Sequence, residues 1–385
     1  MTCAMHAGII VLVGTRPTSA HVMTEALNAA LECFAGRQTA LGDPLRYRFA
    51  VLPSRQEPRC LIPLGDSRTT LEGFQVYTPY AFGARVRKSL LAQVVKTGWR
   101  GWAINPLHVG EPVGLKALVT NVTGERNPAF AMSLGTPGKY RKLTVQVMRP
   151  SGETLGYIKL GLTKAAVEQV RREAGVLEDL SRLRPQVPRV LYAGEWQSTY
   201  MLFQSPLEGR PGPVELSGIH MEFLQRLADI QRADKPGLRV VEETGARWDK
   251  DTWRCDWRWQ HLGRATLAEA RRDLEKVTVP CGFWHGDFVP WNTRVEDGRL
   301  SAFDWESCQP GAPLGWDAFH FTVQVASQLK KSWRTKFDLN AAPGARGLFL
   351  LYLLASLGRS LDERAEANEG LEYRKQALIS ELALN

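Results

Sequence analysis

The sequence predicts an α+β chain of two lobes, a small β-rich lobe followed by a helical one, with an additional N-terminal α/β segment. Three observations predict it. Between residues 121 and 205, short apolar runs broken by Gly/Pro turns surround one amphipathic helix. From 206 to 385, apolar residues recur mainly at helical spacing. Residues 1–120 mix both patterns, and the boundaries 1–120, 121–205 and 206–385 follow from these shifts.

In the first segment Ile9–Val13 reads as a strand and Ala20–Phe34 as a helix. Arg46–Leu52 and Cys60–Leu64 are strand-like runs separated by a Pro/Ser turn. Ala81–Lys96 has the pattern of a basic amphipathic helix, and Gly98–Gly114, rich in glycine and proline, reads as a linker or loop. In the second segment the strands are Ala129–Leu134, Leu143–Met148, Leu155–Leu162, Val190–Ala193 and Tyr200–Phe203. The helix there is Val167–Leu180, with Val167, Val170, Ala174, Leu177 and Leu180 on one side. In the third segment helices are expected over Gly218–Ala233, Leu262–Lys276, Phe321–Ser332, Gly347–Leu361 and Arg364–Leu384. Asp297-Gly298 is the tight-turn signal of a hairpin between them.

Hydrophobic content of 44% with 23% charged residues is that of an ordinary globular protein. The longest apolar run, from Leu348 to Ala355, falls short of the ~20 residues of a membrane span. The N-terminus lacks the basic start of a secretion signal, and the six cysteines show no metal-binding spacing, so the expected compartment is the reducing cytoplasm. Net charge is +9, with 14 Lys/Arg against 8 Asp/Glu in residues 1–130 and no dense basic run. A nucleic-acid partner is therefore not expected, and oligomeric state is left open.

The most informative stretch is Phe283-Trp-His-Gly-Asp-Phe-Val-Pro-Trp-Asn292, followed by Phe303-Asp-Trp-Glu306. A carboxylate, a carboxamide five residues later and a second carboxylate beyond a short hairpin are the parts phosphoryl transfer requires. His-Gly-Asp-(x)₄-Asn with Asp-Trp-Glu resembles the kinases of the aminoglycoside phosphotransferase and choline kinase type. The resemblance, over about residues 125–370, implies a protein-kinase-like fold, ATP (GTP not excluded) as co-substrate and Mg²⁺ as cofactor. Residues 1–120 lie outside it.

Within that frame Asp287 is the expected catalytic base, accepting the proton of the acceptor hydroxyl. Asn292 and Asp304 offer hard oxygen ligands for Mg²⁺, and Glu306 adds a third group, direct or through water. Lys159 sits in an alternating strand where a buried ammonium needs a partner. Glu173, fourteen residues on, falls within the apolar stripe of the following helix, so the two are expected to pair and set Lys159 against the nucleotide phosphates. Gly135 and Gly138 frame either a phosphate-covering loop or a plain hairpin turn. The resemblance gives His285 a loop-organising role and matches Asp317 to the residue that opens the next helix, read here as its cap.

Only twelve residues separate Asp304 from Asp317, too few for a long loop that docks a polypeptide. The expected acceptor is a hydroxyl of a small molecule: a sugar, amino alcohol, nucleoside or aminoglycoside. Trp253, Trp257 and Trp259 with Asp256 either line the acceptor pocket or pack helices together. The competing reading is a catalytically inactive, kinase-like nucleotide-binding or scaffold protein.

Overall fold

A computed structural model describes residues 25–36, 47–76, 82–97, 106–334, 338–362 and 369–382. The chain begins with α1 (Glu25–Ala35), β1 (Tyr47–Pro53), β2 (Pro58–Pro63), α2 (Ser67–Gly73), α3 (Phe82–Lys96), β3 (Leu107–Val109) and α4 (Val113–Thr123). It continues with β4 (Ala129–Ser133), β5 (Lys142–Met148), β6 (Thr154–Gly161), α5 (Lys164–Asp179), β7 (Val190–Trp196) and β8 (Thr199–Gln204). Together the strands make an eight-stranded sheet in the order β3-β1-β2-β4-β5-β6-β8-β7, every neighbouring pair antiparallel. Strands of the first segment thus continue the second segment's sheet, through Cys60 opposite Ser133 and Leu61 opposite Met132.

Alternation decides which face of this sheet meets which layer. Leu143, Val145, Val147, Ile158 and Leu160 bury one face in a core shared with Leu27 and Phe34 of α1 and Leu115 and Val119 of α4. Their strand neighbours Lys142, Thr144, Tyr157 and Lys159 point the other way, into the cleft between the lobes. Helix α5 is capped by Thr163, whose hydroxyl accepts from the Ala166 amide.

The helical lobe comprises β9 (Arg210–Pro211), α6 (Gly218–Ala228), β10 (Ala233–Pro236), α7 (Gly237–Thr252), α8 (Trp257–Leu274), β11 (Thr278–Trp284), β12 (Thr293–Glu296), β13 (Arg299–Ala302), β14 (Gln309–Pro313), α9 (Trp316–Leu329), α10 (Ala345–Asp362) and α11 (Glu369–Leu382). Its core is the unbroken apolar run Phe349–Leu354 of α10, fully buried among α7, α8, α9 and α11. The hairpin β12–β13 turns at Asp297 and Gly298, both with positive φ as a two-residue turn of this hand requires. The architecture is the two-lobed α+β, protein-kinase-like one. No described helix is long and apolar enough to cross a membrane.

Several elements differ from the sequence reading. The expected Ile9–Val13 strand lies outside the described residues. The linker expected over Gly98–Gly114 contains β3 and the start of α4, because Leu107 and Val109 bury against the sheet core. The helix expected over Gly218–Ala233 stops at Ala228, and residues 233–236 pair with β11 instead. Helix α7 has no counterpart in the sequence reading. Helices α8 and α9 each start five residues before the expected position.

Candidate active site

Three local structures converge at the cleft: the inward face of β5–β6, the loop after β11 and the turn after β13. From β6, Lys159 is 5% exposed and its Nζ lies 2.6 Å from Glu173 Oε1 of α5 and 2.6 Å from Asp304 Oδ1. Glu173 Oε1 also accepts from the Trp305 amide at 3.1 Å, and Oε2 has no described partner. Burial acts to lower the Lys159 pKa, but Asp304 and Glu173 outweigh it and hold it above the ordinary value. The same contacts, with Lys142 as a second cation, keep Asp304 ionised against burial.

Asp304 adopts a left-handed backbone (φ 68°, ψ 56°), uncommon for a residue with a side chain. Glu306 forms an ion pair with Lys142, whose Nζ is also 3.7 Å from Asp304 Oδ1. One oxygen each from Glu173, Asp304 and Glu306 lies within 4.8 Å of the others. Asn292 spends its Nδ2 on the Asp287 carbonyl (3.0 Å) and on Asp287 Oδ2 (2.8 Å), which leaves its Oδ1 as an acceptor for a cation. This donor set of hard oxygens fits a divalent cation such as Mg²⁺.

The loop after β11 is held from four sides. His285 is fully buried; burial lowers its pKa to about 4, so the ring is neutral. Its Nδ1 accepts from the Asp287 amide at 3.2 Å, so Nε2 carries the proton and donates to the Phe303 carbonyl at 3.0 Å. This is the loop-organising role expected for it. Arg359 Nη1 donates to the Gly286 carbonyl at 2.8 Å. Gly286 has φ +82°, and a Cβ there would meet the Ser307 carbonyl oxygen at 2.5 Å, so both conformation and space require glycine.

Asp317 does not cap the helix it opens, contrary to the sequence reading. The cap position is Gly315, which has no side chain to contribute, and Asp317 lies inside the first turn of α9. From there its carboxylate accepts the amides of His285 (2.9 Å) and Gly286 (3.2 Å). Burial pushes its pKa up to about 7 despite these bonds.

The Asp287 side chain is 39% accessible. Oδ2 accepts from Asn292 and Oδ1 from His320 Nε2 at 3.1 Å. Burial would raise its pKa, but the hydrogen bond from His320 leads the opposing effects, and the net direction is down, which keeps the carboxylate ionised. Burial lowers His320, so its neutral ring donates through Nε2, with Tyr352 Oη 3.4 Å from Nδ1.

Lys142, Lys159, Asn292 and Asp304 form one end of a cavity of about 650 Å³, large enough for a nucleotide. It runs past Tyr157 to the interlobe segment at Gln204–Gly209. The Gln204 amide oxygen is buried there with no described donor. Glu72, Gln75 and Val76, from α2 and the turn after it, also line the cavity.

The other expected residues are placed apart. Gly135 (φ +60°) and Gly138 (φ +150°) lie in the β4–β5 connection and do not line this cavity. The tryptophan segment splits. Trp253 is 68% exposed, under the Arg254 guanidinium, and lines a second cavity. Trp257 is 71% exposed and lines neither. Trp259 packs on the helical core beside Trp248. Asp256 caps α8 by accepting the Arg258 amide at 2.8 Å.

Lys142, His320, Arg359 and the α2 residues escaped the sequence reading. A signal for Lys142 exists: Lys142, Thr144 and Gln146 alternate with Leu143, Val145 and Val147. No comparable local signal marks His320 or Arg359.

The sequence profile of the phosphotransferase enzyme family matches residues 157–365. No curated protein sequence matches the chain. Solved structures similar to it include the GDP complex of wild-type aminoglycoside 2'-phosphotransferase-IIIa, at 13% identity and TM-score 0.43 over 71% of this chain and 99% of that one. The ternary complex of streptomycin, ATP and APH(2")-IIa aligns at 13% identity and TM-score 0.44 over 71% and 97%. Aminoglycoside phosphotransferase APH(4)-Ia aligns at 13% and 0.42 over 71% and 99%.

Proposed function

The chain belongs to the phosphotransferase enzyme family, and from that premise we propose that it transfers the γ-phosphoryl group of ATP, taken as its magnesium complex, to a hydroxyl of a small molecule. The observation that carries this reading is the Asp287 carboxylate, ionised, accessible and held between Asn292 and His320. The acceptor's O–H donates to Asp287, its oxygen attacks the γ-phosphorus as the bond to the bridging oxygen breaks, and ADP leaves. Asp287 needs only to orient the hydroxyl and take its proton as negative charge leaves the nucleophile.

In this reading Asp304, the Asn292 amide oxygen and Glu306 hold Mg²⁺, which when bound offsets charge on the β- and γ-phosphates. Lys159, fixed by Glu173, moves onto phosphate oxygens when the nucleotide occupies the cleft, and Lys142 is a second cation at the same end. We assign residues 121–205 to nucleotide binding and 206–385 to catalysis and the acceptor, with Glu72 and Gln75 bringing the first segment to the nucleotide cavity. The base, the lysine–glutamate pair and the metal-binding oxygens are all present, which favours an active enzyme over a scaffold. The five described cysteines carry free thiols, in keeping with a cytoplasmic setting.

Calorimetry tests the assignment. ATP binding should strengthen with Mg²⁺ in the wild type and lose that dependence in Asp304→Ala, while Asp287→Asn should keep Mg·ATP affinity and lose about 10²–10⁴-fold in turnover. Metal-independent ATP binding of equal strength in wild type and Asp304→Ala would exclude the metal assignment.

A further inference from the structure

A second cavity, of about 400 Å³, lies beside the catalytic loop and is lined by both lobes. Glu306, Ser307 and Trp284 are among the residues that line it. Arg359 ties it to the chemistry: the guanidinium that lines the cavity stacks on Trp284 and donates to the carbonyl of Gly286, one residue before Asp287. Through Arg359 the cavity is tied to the backbone one residue from Asp287.

The charges around it are unbalanced. Lys139 is spent on Asp362, at 2.6 Å, and Glu306 on Lys142. Arg172 of α5 and Arg247 and Lys250 of α7 then face the one carboxylate of Asp251. Among the described residues Arg172 and Lys250 make no ion pair. Arg247 donates to the neutral Gln309 amide. Asp251 is partly buried, and burial, with Asp362 beside it, raises its pKa against the pull of Arg247, Lys250 and Arg359. None of these three cations lines the nucleotide cavity, whose phosphate end has its own pair in Lys142 and Lys159.

We infer that this cavity is the acceptor site and that the acceptor is an anionic polyol, a hydroxylated carboxylic acid or phosphate ester, whose anion pairs with Arg172, Arg247 and Lys250 while a hydroxyl faces Asp287. The inference rests on the phosphotransferase reading above. Guanidinium groups suit such anions because they bind two oxygens at once, and charge-assisted hydrogen bonds of this kind change affinity by about 10- to 100-fold. A cationic acceptor meets the opposite field and needs a carboxylate-rich wall, which the described residues do not form.

The test uses matched probes: gluconate, glucose and glucosamine, and glycerate, glycerol and serinol. ADP release with Mg·ATP is measured for each, in the wild type and in the Arg247→Glu/Lys250→Glu variant, whose substitutions fall on exposed positions of α7. The expected result is turnover with an acid at least about tenfold above its neutral and cationic partners. The variant should lose that preference and keep the wild-type Mg·ATP dissociation constant and melting temperature. Turnover as high with glucosamine or serinol overturns the inference, as does absence of turnover with both acids while Mg·ATP binds. So does a variant that weakens Mg·ATP as much as the acid, since the cations then serve the nucleotide. Wild-type protein that fails to bind Mg·ATP at all rejects the underlying reading instead, and the inference with it.

Discussion

Replacing Asp317 by Asn isolates the group that holds the catalytic loop. Its carboxylate is 5% exposed and accepts two backbone amides, from His285 and Gly286. Burial has raised its pKa to about 7, against an ordinary carboxyl value near 3.9. A folded-state pKa above the unfolded one means that the protonated group favours folding. That contribution is complete below about pH 4 and lost as the pH rises through about 7, a total of about 4 kcal/mol by linkage. Asn carries no such titration. Its oxygen can accept one of the two amides, but its NH₂ faces the other and leaves a buried donor unmatched, at a cost of about 1–3 kcal/mol. Asp317→Asn should therefore be the less stable protein near pH 4, and the gap should close or reverse by about pH 8. Urea unfolding followed by tryptophan fluorescence across this range measures it, and titrations common to both proteins cancel in the difference. A stability difference that stays constant with pH would refute the assignment of the raised pKa to Asp317.

His320 orients Asp287 and does not touch the reacting atoms, so His320→Ala should lower kcat by about tenfold and leave the KM for Mg·ATP unchanged. His320→Gln, which keeps an N–H donor, should recover part of the loss, and equal damage by both would point to packing alone. The tryptophans should separate by burial: Trp259→Leu should cost about 2–3 kcal/mol of stability, while Trp253→Leu and Trp257→Leu should stay within about 0.5 kcal/mol. A uniform loss across all three in chemical denaturation would contradict their placement.

Some of this site was legible in the sequence because its information is local. Asp287 and Asn292 share one short loop, and Asp304 follows on the next hairpin, whose Asp297-Gly298 turn is itself a local signal. Lys159 and Glu173 were readable as charges at positions where period-two and helical patterns expect burial, and they meet at 2.6 Å. Strand and helix existence in residues 121–205 followed from the same periodicities. Helix ends did not: α6 stops early because a strand pairing with β11 claims the chain, and that pairing joins residues far apart in sequence.

Tertiary structure decided the rest. Whether Trp253, Trp257 and Trp259 act together depended on where α8 begins. Starting it at Trp257 puts residues 257 and 259 about 200° apart, so one faces solvent and the other the core. Lys142 reaches Glu306, His320 reaches Asp287 and Asp317 reaches the His285 amide only because separate elements pack at one cleft. Each such contact joins a residue ordinary in its own neighbourhood to a partner dozens of positions or more away. Periodicity and spacing encode which way a side chain points from its own strand or helix. What it meets there is set by the packing of the whole core, and no local pattern carries that.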